Sequence, residues 1–236
     1  MSKHRERRWI VGHHEIIDKI DDNLWTIYGD VPGVPIKRRM AIVRRSDGSL
    51  LFYHAVPMRE EVLEEILDWG KPAILVIAHD NHGIDAQAFR TKLGVKTYGP
   101  KKSIDKMRKK FDVDGTIEEI PSDPMVRVES VAGTKAGEPV VIVRSGGGTR
   151  TNLVFCDAFQ NNASKDLILP LRLLGFGGGP SCPPLFKLLF VDDKRALRAD
   201  FERWAAMPEL AHLVPCHGDI VYKDAPQILR SIAARI

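Results

Sequence analysis

In the stretch VIAHDNHGID, residues 76–85, an apolar run ends in two histidines, an aspartate and an asparagine, with a glycine behind them. Two more polar islands follow apolar runs: Asp157 after NLVFC, and His217-Gly218-Asp219 after LVPC. Histidine and carboxylate are ligands that suit zinc, iron or manganese. The three-residue spacing of His79 and His82 lets both imidazoles turn toward one centre across a tight turn. Each island alone also fits an ordinary hydrogen-bonded loop, since Asp commonly accepts backbone N–H groups at such ends. Together they are expected to meet, because ligand sites in α/β proteins form where strand ends converge.

The elements that must position these islands alternate along the chain. NLWTIYGDV (23–31) and RMAIVRRSDGSLLFYHA (39–55) read as strands, the latter folded at the turn SDGS. MREEVLEEILDWG (58–70) reads as a helix with Val62, Leu63, Ile66 and Leu67 on its buried face. PAILVIA (72–78) is an unbroken apolar run that suits a strand buried on both faces. GIDAQAFRTKLG is helical, with Asp85 a first-turn carboxylate favoured by the helix dipole, and VKTYG returns as a strand. KKSIDKMRKKF (101–111) places Ile104, Met107 and Phe111 on one face of a helix and lysines on a solvated face. In the second half MVRVESVAG, PVVIVRSG and NLVFCDAFQ read as strands, and GFGGGPSCPP (175–184) as an irregular loop without a phosphate-cradling ending. A helix over 192–207, capped by Asp192 or Asp193, and a closing helix in APQILRSIAARI complete a single expected domain, 1–236.

Composition excludes several classes. The 236 residues are 44% hydrophobic and 28% charged, the balance of a globular protein with a sizeable core. A net charge of +4, from 35 basic against 31 acidic residues, does not point to nucleic acid. No apolar run approaches the ~20 residues that span a bilayer, and the start MSKHRERRWIVG has no apolar signal core. Three widely spaced cysteines, Cys156, Cys182 and Cys216, argue against a disulfide framework. The expected setting is cytoplasmic and reduced, with a small-molecule substrate and neither nucleic-acid nor membrane partner.

From about Ile20 onward the chain resembles the metallo-β-lactamase-fold superfamily. The opening hairpin IDDNLWTIYG, the turn HDNH before a helix that ends at Gly94, the strand LVFCDAF and the turn VPCHGD all match its pattern. The resemblance implies a four-layer αββα sandwich. In the register that counts back from Gly94, His82 and His79 fall on the last and second histidines of the family's H-x-H-x-D-H turn. Asn81 then falls on its aspartate and Ile77 on its first histidine. Sliding the register instead puts His79 on the first histidine and loses His82. Thr134, in VAGTKAGE, stands where another histidine is expected, Asp157 matches the metal-bridging aspartate and His217 the final ligand.

The resemblance therefore implies one gutted and one retained metal position. His79 and Asp157 are too few to hold an ion tightly, whereas His82, Asp157 and His217 make the three-ligand set of a catalytic single-metal site. Asp157, with Asn81 orienting a water, is the expected catalytic pair; Asp80 and Asp219 are the carboxylates available as a base. The implied activity is metal-dependent hydrolysis of a small molecule with zinc, iron or manganese. The alternative is an inactive, metal-free member of the superfamily that binds a partner. Cys156 is expected in the core by strand alternation, Cys216 either at the pocket or buried and inert. His4, His13, His14, His54 and His212 are read as structural. Arg144, Arg150 and glycines 146–148 read as a plain turn or a lip for an anion.

Overall fold

The computed structural model describes residues 8–163, 169 and 176–236. A seven-stranded sheet runs in chain order through β1 (Asp18–Asp21), β2 (Leu24–Val31), β3 (Val34–Arg44), β4 (Ser49–Tyr53), β5 (Lys71–Val76), β6 (Lys96–Gly99) and β7 (Gly115–Thr116). Strands β1 to β4 pair antiparallel through short turns. Pairing becomes parallel from β4 onward, where helices α1 (Glu60–Trp69) and α2 (Ala86–Leu93) carry the chain back for the next strand. A four-stranded second sheet is built from β8 (Val126–Ser130), β9 (Pro139–Ser145), β10 (Arg150–Phe155) and β13 (Leu210–Pro215) in the order β13-β10-β9-β8. Helices α5 (Lys194–Ala205) and α6 (Ala225–Ala233) lie in its second half.

Alternation along the strands builds four layers. On β3, Met40 and Ile42 join Val62, Leu63 and Ile66 of α1 and Phe89 of α2 in one core. Their neighbours Ala41 and Val43 pack with Val141, Val143 and Val154 of the other sheet. On the far side, Ile142, Leu153 and Phe155 meet Leu197, Phe201 and Trp204 of α5 and Leu229 of α6. A strand whose two side-chain sets enter different cores is sandwiched on both faces. The result is the αββα arrangement.

Three local expectations change. Leu67 is 44% exposed, because the buried stripe of α1 is the narrower one of Val62, Leu63 and Ile66. The helix expected over 101–111 is only α3 (Ile104–Met107) between turns, though Ile104, Met107 and Phe111 are buried as read. The segment 175–184 is not wholly irregular: β12 (Gly179–Ser181) pairs with β11 (Gln160–Asn162), and Pro184 opens the short helix α4 (Pro184–Leu189). Backbone pairing needs no side chain, and proline's fixed φ suits a first helical turn. Gly175 and His4 lie outside the described residues. Asp193 caps α5, accepting from the N–H groups of Arg195 and Ala196. No helix among the described residues is long and apolar enough to cross a membrane.

Candidate metal centre

Parallel pairing decides where the polar islands go. Tyr53 pairs with Val76 across β4 and β5, and Phe155 with Pro215 across β10 and β13, so four carboxyl ends lie at one edge of the sandwich. The next residues are His54, the His79–His82 turn, Cys156-Asp157 and Cys216-His217. They converge on the Asp157 carboxylate. His79 Nε2 lies 3.2 Å and His82 Nε2 3.3 Å from Oδ2, while His217 Nε2 lies 3.6 Å from Oδ1. Cys156 Sγ is 3.6 and 3.8 Å from the two ring nitrogens of His82. The ligand atoms of His79, His82, Cys156 and Asp157 all lie within 4.8 Å of one another, as do those of His54, His82 and Cys216.

Neighbouring residues clamp each arm. Arg39 Nη1 donates to the carbonyls of Pro215 and Gly218, at 3.0 and 2.6 Å, and its guanidinium stacks 4.5 Å over the Tyr28 ring. The Gly218 N–H donates to the Tyr28 hydroxyl. Gly218 has φ +89°, and a Cβ there would stand 2.1 Å from the Asn161 carbonyl oxygen, so the turn after His217 requires glycine. The His79–His82 turn is held from beneath, where a Cβ on Gly83 would fall 2.0 Å from the Phe111 ring. Asp85 corrects its sequence reading: its buried carboxylate makes an ion pair with buried Arg38 and no helix-capping hydrogen bond. That pair ties the start of α2 to β3.

Hydrogen bonds also fix the imidazole tautomers. His217 Nδ1–H donates to the Lys37 carbonyl at 2.7 Å, so in the neutral ring the lone pair is on Nε2 and faces Asp157. His79 is set the other way, its Nδ1 accepting from the Asn81 N–H at 3.3 Å. A neutral His79 therefore carries its proton on Nε2 and donates to Asp157. By distance His79 is closer to the carboxylate than His217; by tautomer His217 is the better ligand. The tautomer decides, because a few tenths of an ångström close on binding whereas a protonated nitrogen has no lone pair to give.

The cluster is strongly coupled. Burial opposes ionisation of Asp157, but His82, His79 and His217 hold its carboxyl well below the usual range. Burial alone would lower His82; the Asp157 charge and hydrogen bond instead raise it to about 10. His217 rises to about 9, against burial, through Cys216 and Asp157. Burial and the Asp157 charge push Glu138, whose carboxylate accepts from the Ala158 N–H at 2.7 Å, up to about 8. Burial lowers His54, opposed by the neighbouring Cys216 sulfur, and neither ring nitrogen makes a conventional hydrogen bond among the described residues.

Of the residues expected from sequence, His79, His82, Asp157 and His217 come together. Asn81 does not join them through its side chain: it is exposed, and its Oδ1 accepts from Lys110, which also pairs with Asp80. Ile77 is fully buried in the helix-facing core, and the Thr134 hydroxyl donates to the Val131 carbonyl. Arg150 pairs with Asp21 at the amino end of β10, a strand's length from Asp157, so the turn at 146–148 is no lip of this site. His14 and His212 are structural, bonded to the Arg59 N–H and Asn152 respectively. His54 and Cys156 were missed as members of the cluster, and Cys216, left open between pocket and buried thiol, is buried beside it. Cys156 is in the core as alternation indicated, packed between the sheets, and its sulfur also reaches His82. The signal for His54 was available: it too follows an apolar run, SLLFY.

A cleft of about 1170 Å³ opens over His82, Asp157 and His217. One wall is the apolar β2–β3 hairpin tip, Val31–Lys37; His13, Phe176 and Asp219 also line it. No protein-family model matches the sequence, and no curated protein does. Solved structures do. The DIM-1 metallo-β-lactamase exposed to ceftazidime superposes with TM-score 0.65 at 17% identity, covering 96% of this chain and 99% of that one. A metallo-β-lactamase from Pontibacter korlensis gives 0.61 at 15%, covering 95% and 100%. One from Erythrobacter litoralis, with β-mercaptoethanol in its active site, gives 0.61 at 13%, covering 93% and 96%.

Proposed function

We propose, from the premise that the chain has the metallo-β-lactamase fold, that it is a metal-dependent hydrolase of a small molecule using a single divalent ion. The observation that carries this is the set of three imidazole nitrogens 3.2–3.6 Å from the two oxygens of Asp157, with His82, Asp157 and His217 lining a cleft. Four ligands at tetrahedral zinc distances stand ~3.4 Å apart; each imidazole is near that distance from Asp157, while the His82 and His217 rings, 5.9 Å apart by centroid, must close on the ion. His82, Asp157 and His217 are the ligands, and His79, the fourth residue of the set, holds the carboxylate by donating from Nε2. Zinc suits these donors best, with iron and manganese as alternatives. The chemistry such an ion supplies is Lewis acidity, which polarises a carbonyl or phosphoryl oxygen and makes a water acidic enough to attack near neutral pH.

The chain's own residues supply the rest. The Lys37 carbonyl fixes the His217 tautomer, and Gln160 Nε2, 3.4 Å from Asp157 Oδ1, holds the carboxylate's other oxygen. Asn81 contributes through its backbone N–H rather than its amide. Of the two carboxylates available to accept a proton, Asp80 is paired with Lys110 whereas Asp219 lines the cleft, so that role falls to Asp219. The apolar hairpin tip favours a substrate with an apolar portion beside its ester, thioester, lactone, amide or phosphodiester bond.

The test is elemental analysis of protein purified without chelator or metal-affinity resin, followed by a screen of those five bond types. Near one equivalent of zinc, iron or manganese, kept by His13→Ala and lost by His217→Ala, together with metal-dependent turnover, is the expected result. Ile77 and Thr134, which cannot ligate, favour the competing metal-free binding protein. Absence of metal after incubation with all three ions would establish that reading instead.

A further inference from the structure

Behind the cleft floor lies a second group of donors. His54 and Cys216 are each 1% exposed and neither lines the cleft. Their ligand atoms and one from His82 lie within 4.8 Å of one another. The His54 ring is 5.0 Å from the His82 ring, centroid to centroid, and stacks 4.2 Å from Tyr53. Both His54 nitrogens are buried without a hydrogen-bond partner among the described residues. Its backbone sits at φ +67°, a conformation costly for a residue with a side chain. The Cys216 sulfur is close enough to act on His54 but makes no conventional hydrogen bond with it, and a cation between them would satisfy a lone pair of each.

We propose that His54, His82 and Cys216 form a second, sulfur-bearing cation position behind the cleft, one that takes a borderline-soft divalent ion such as zinc. Thiolate and imidazole select zinc or cobalt over magnesium or calcium. Four-coordinate ions with N and S ligands need donors ~3.4–3.6 Å apart, so from its outer limit of 4.8 Å this group must contract by about 1.2–1.4 Å. Cys216 lies between His217 and the clamp that Arg39 makes on the Pro215 carbonyl, so its sulfur is aimed inward by backbone already fixed for another purpose. His82 is common to both groups, which couples the two positions. The inference goes beyond the single-ion reading and stands without it.

The experiment is titration of the reduced, metal-free full chain with cobalt(II) under anaerobic conditions, followed by absorption. A near-ultraviolet sulfur-to-cobalt charge-transfer band is expected in the native protein and in Cys182→Ser, and is lost in Cys216→Ser. His54→Asn, chosen because asparagine tolerates the left-handed backbone, is expected to weaken cobalt binding at this position at least tenfold. Circular dichroism and melting curves of each variant establish that it is folded. Cobalt bound with visible ligand-field bands but no sulfur band overturns this inference while leaving the cleft reading intact. A sulfur band that survives Cys216→Ser overturns it too, since the thiolate is then that of Cys156 or Cys182. Failure to bind any cobalt overturns both. The native spectrum decides the presence of a thiolate ligand even if a variant does not fold.

Discussion

Replacing Arg38 by methionine tests whether the ligand-bearing segments are held by one buried ion pair. Arg38 and Asp85 have side chains 4% and 12% exposed, so removing the guanidinium leaves a carboxylate with little water and no other charge partner shown. Breaking a buried pair this way typically costs about 3–5 kcal/mol, far more than the 0–1 kcal/mol of a surface pair. In a chain of this size each kcal/mol moves the melting temperature by about 2–4 °C, so the expected drop is about 6–20 °C. Asp85→Asn should also destabilise, by leaving the guanidinium unpaired. The double variant should lose less than the sum, with a coupling energy of about 2 kcal/mol. The effect should reach the metal centre. Asp85 opens the helix that follows His82, and Arg38 adjoins the Lys37 carbonyl that holds His217, so metal affinity should fall at temperatures where the variant is still folded. Calorimetry with chemical denaturation measures the first part, and competition with a chromogenic chelator the second. A loss below about 1 kcal/mol, or single losses that simply add, would refute the reasoning.

Gly218→Ala should cost roughly 2–5 kcal/mol from its positive φ and its collision with the Asn161 carbonyl; an unchanged melting curve would show that the turn can open. Glu138 carries a pH signature of definite sign. Its folded pKa of about 8 lies above the ordinary 4.5, so its contribution to stability is full below 4.5 and lost as pH rises through 8. Glu138→Gln, which keeps an acceptor for the Ala158 N–H, should match the native protein at pH 4.5 and exceed it at pH 9 by a few kcal/mol, an order-of-magnitude figure. A difference that stays flat across that range counts against the buried carboxyl. Finally, zinc at about 100 times its dissociation constant should stabilise the metal-free protein by about 2.7 kcal/mol, or about 5–11 °C, reversibly with chelator. No shift, or an equal one in Asp157→Asn, would place the ion elsewhere.

The layers were legible because alternation and helical periodicity report which face of an element is buried. The four-layer sandwich itself was implied by the resemblance, and Met40 and Ile42 against Ala41 and Val43 show the alternation that fits it. The three polar islands were legible because each interrupts an apolar run, and parallel pairing brings such interruptions to one edge. What the sequence hid depended on direction rather than position. His54 looked like one more core-flanking histidine, and its aim toward His82 follows from a left-handed backbone that no periodicity announces. Asp85 had a local explanation in the helix dipole, and a partner 47 residues away on β3 displaced it. Asn81 matched a motif position, yet Lys110, from the turns after α3, holds its side chain at the rim.

The distribution of cost within the site bears on which reading is right. Ile77 and Thr134 are fully absorbed by the protein, one in an apolar core and the other bonded to a backbone carbonyl, so nothing there awaits a ligand. The opposite holds around His82. His54 keeps two buried nitrogens without partners, and Asp157 is ringed by three imidazoles that repel one another once protonated. Each such group costs on the order of 1–3 kcal/mol when its hydrogen-bonding capacity is unmet. A purely apolar floor would serve a binding surface without that cost. Lone pairs concentrated around one carboxylate are instead the arrangement that a cation converts from a destabilising feature into a stabilising one. Buried atoms without partners also occur singly at Arg38, Arg39 and Thr97, but among the described residues only His54 presents two of them beside further metal-ligating groups, and that is why metal is expected to raise the stability of this chain.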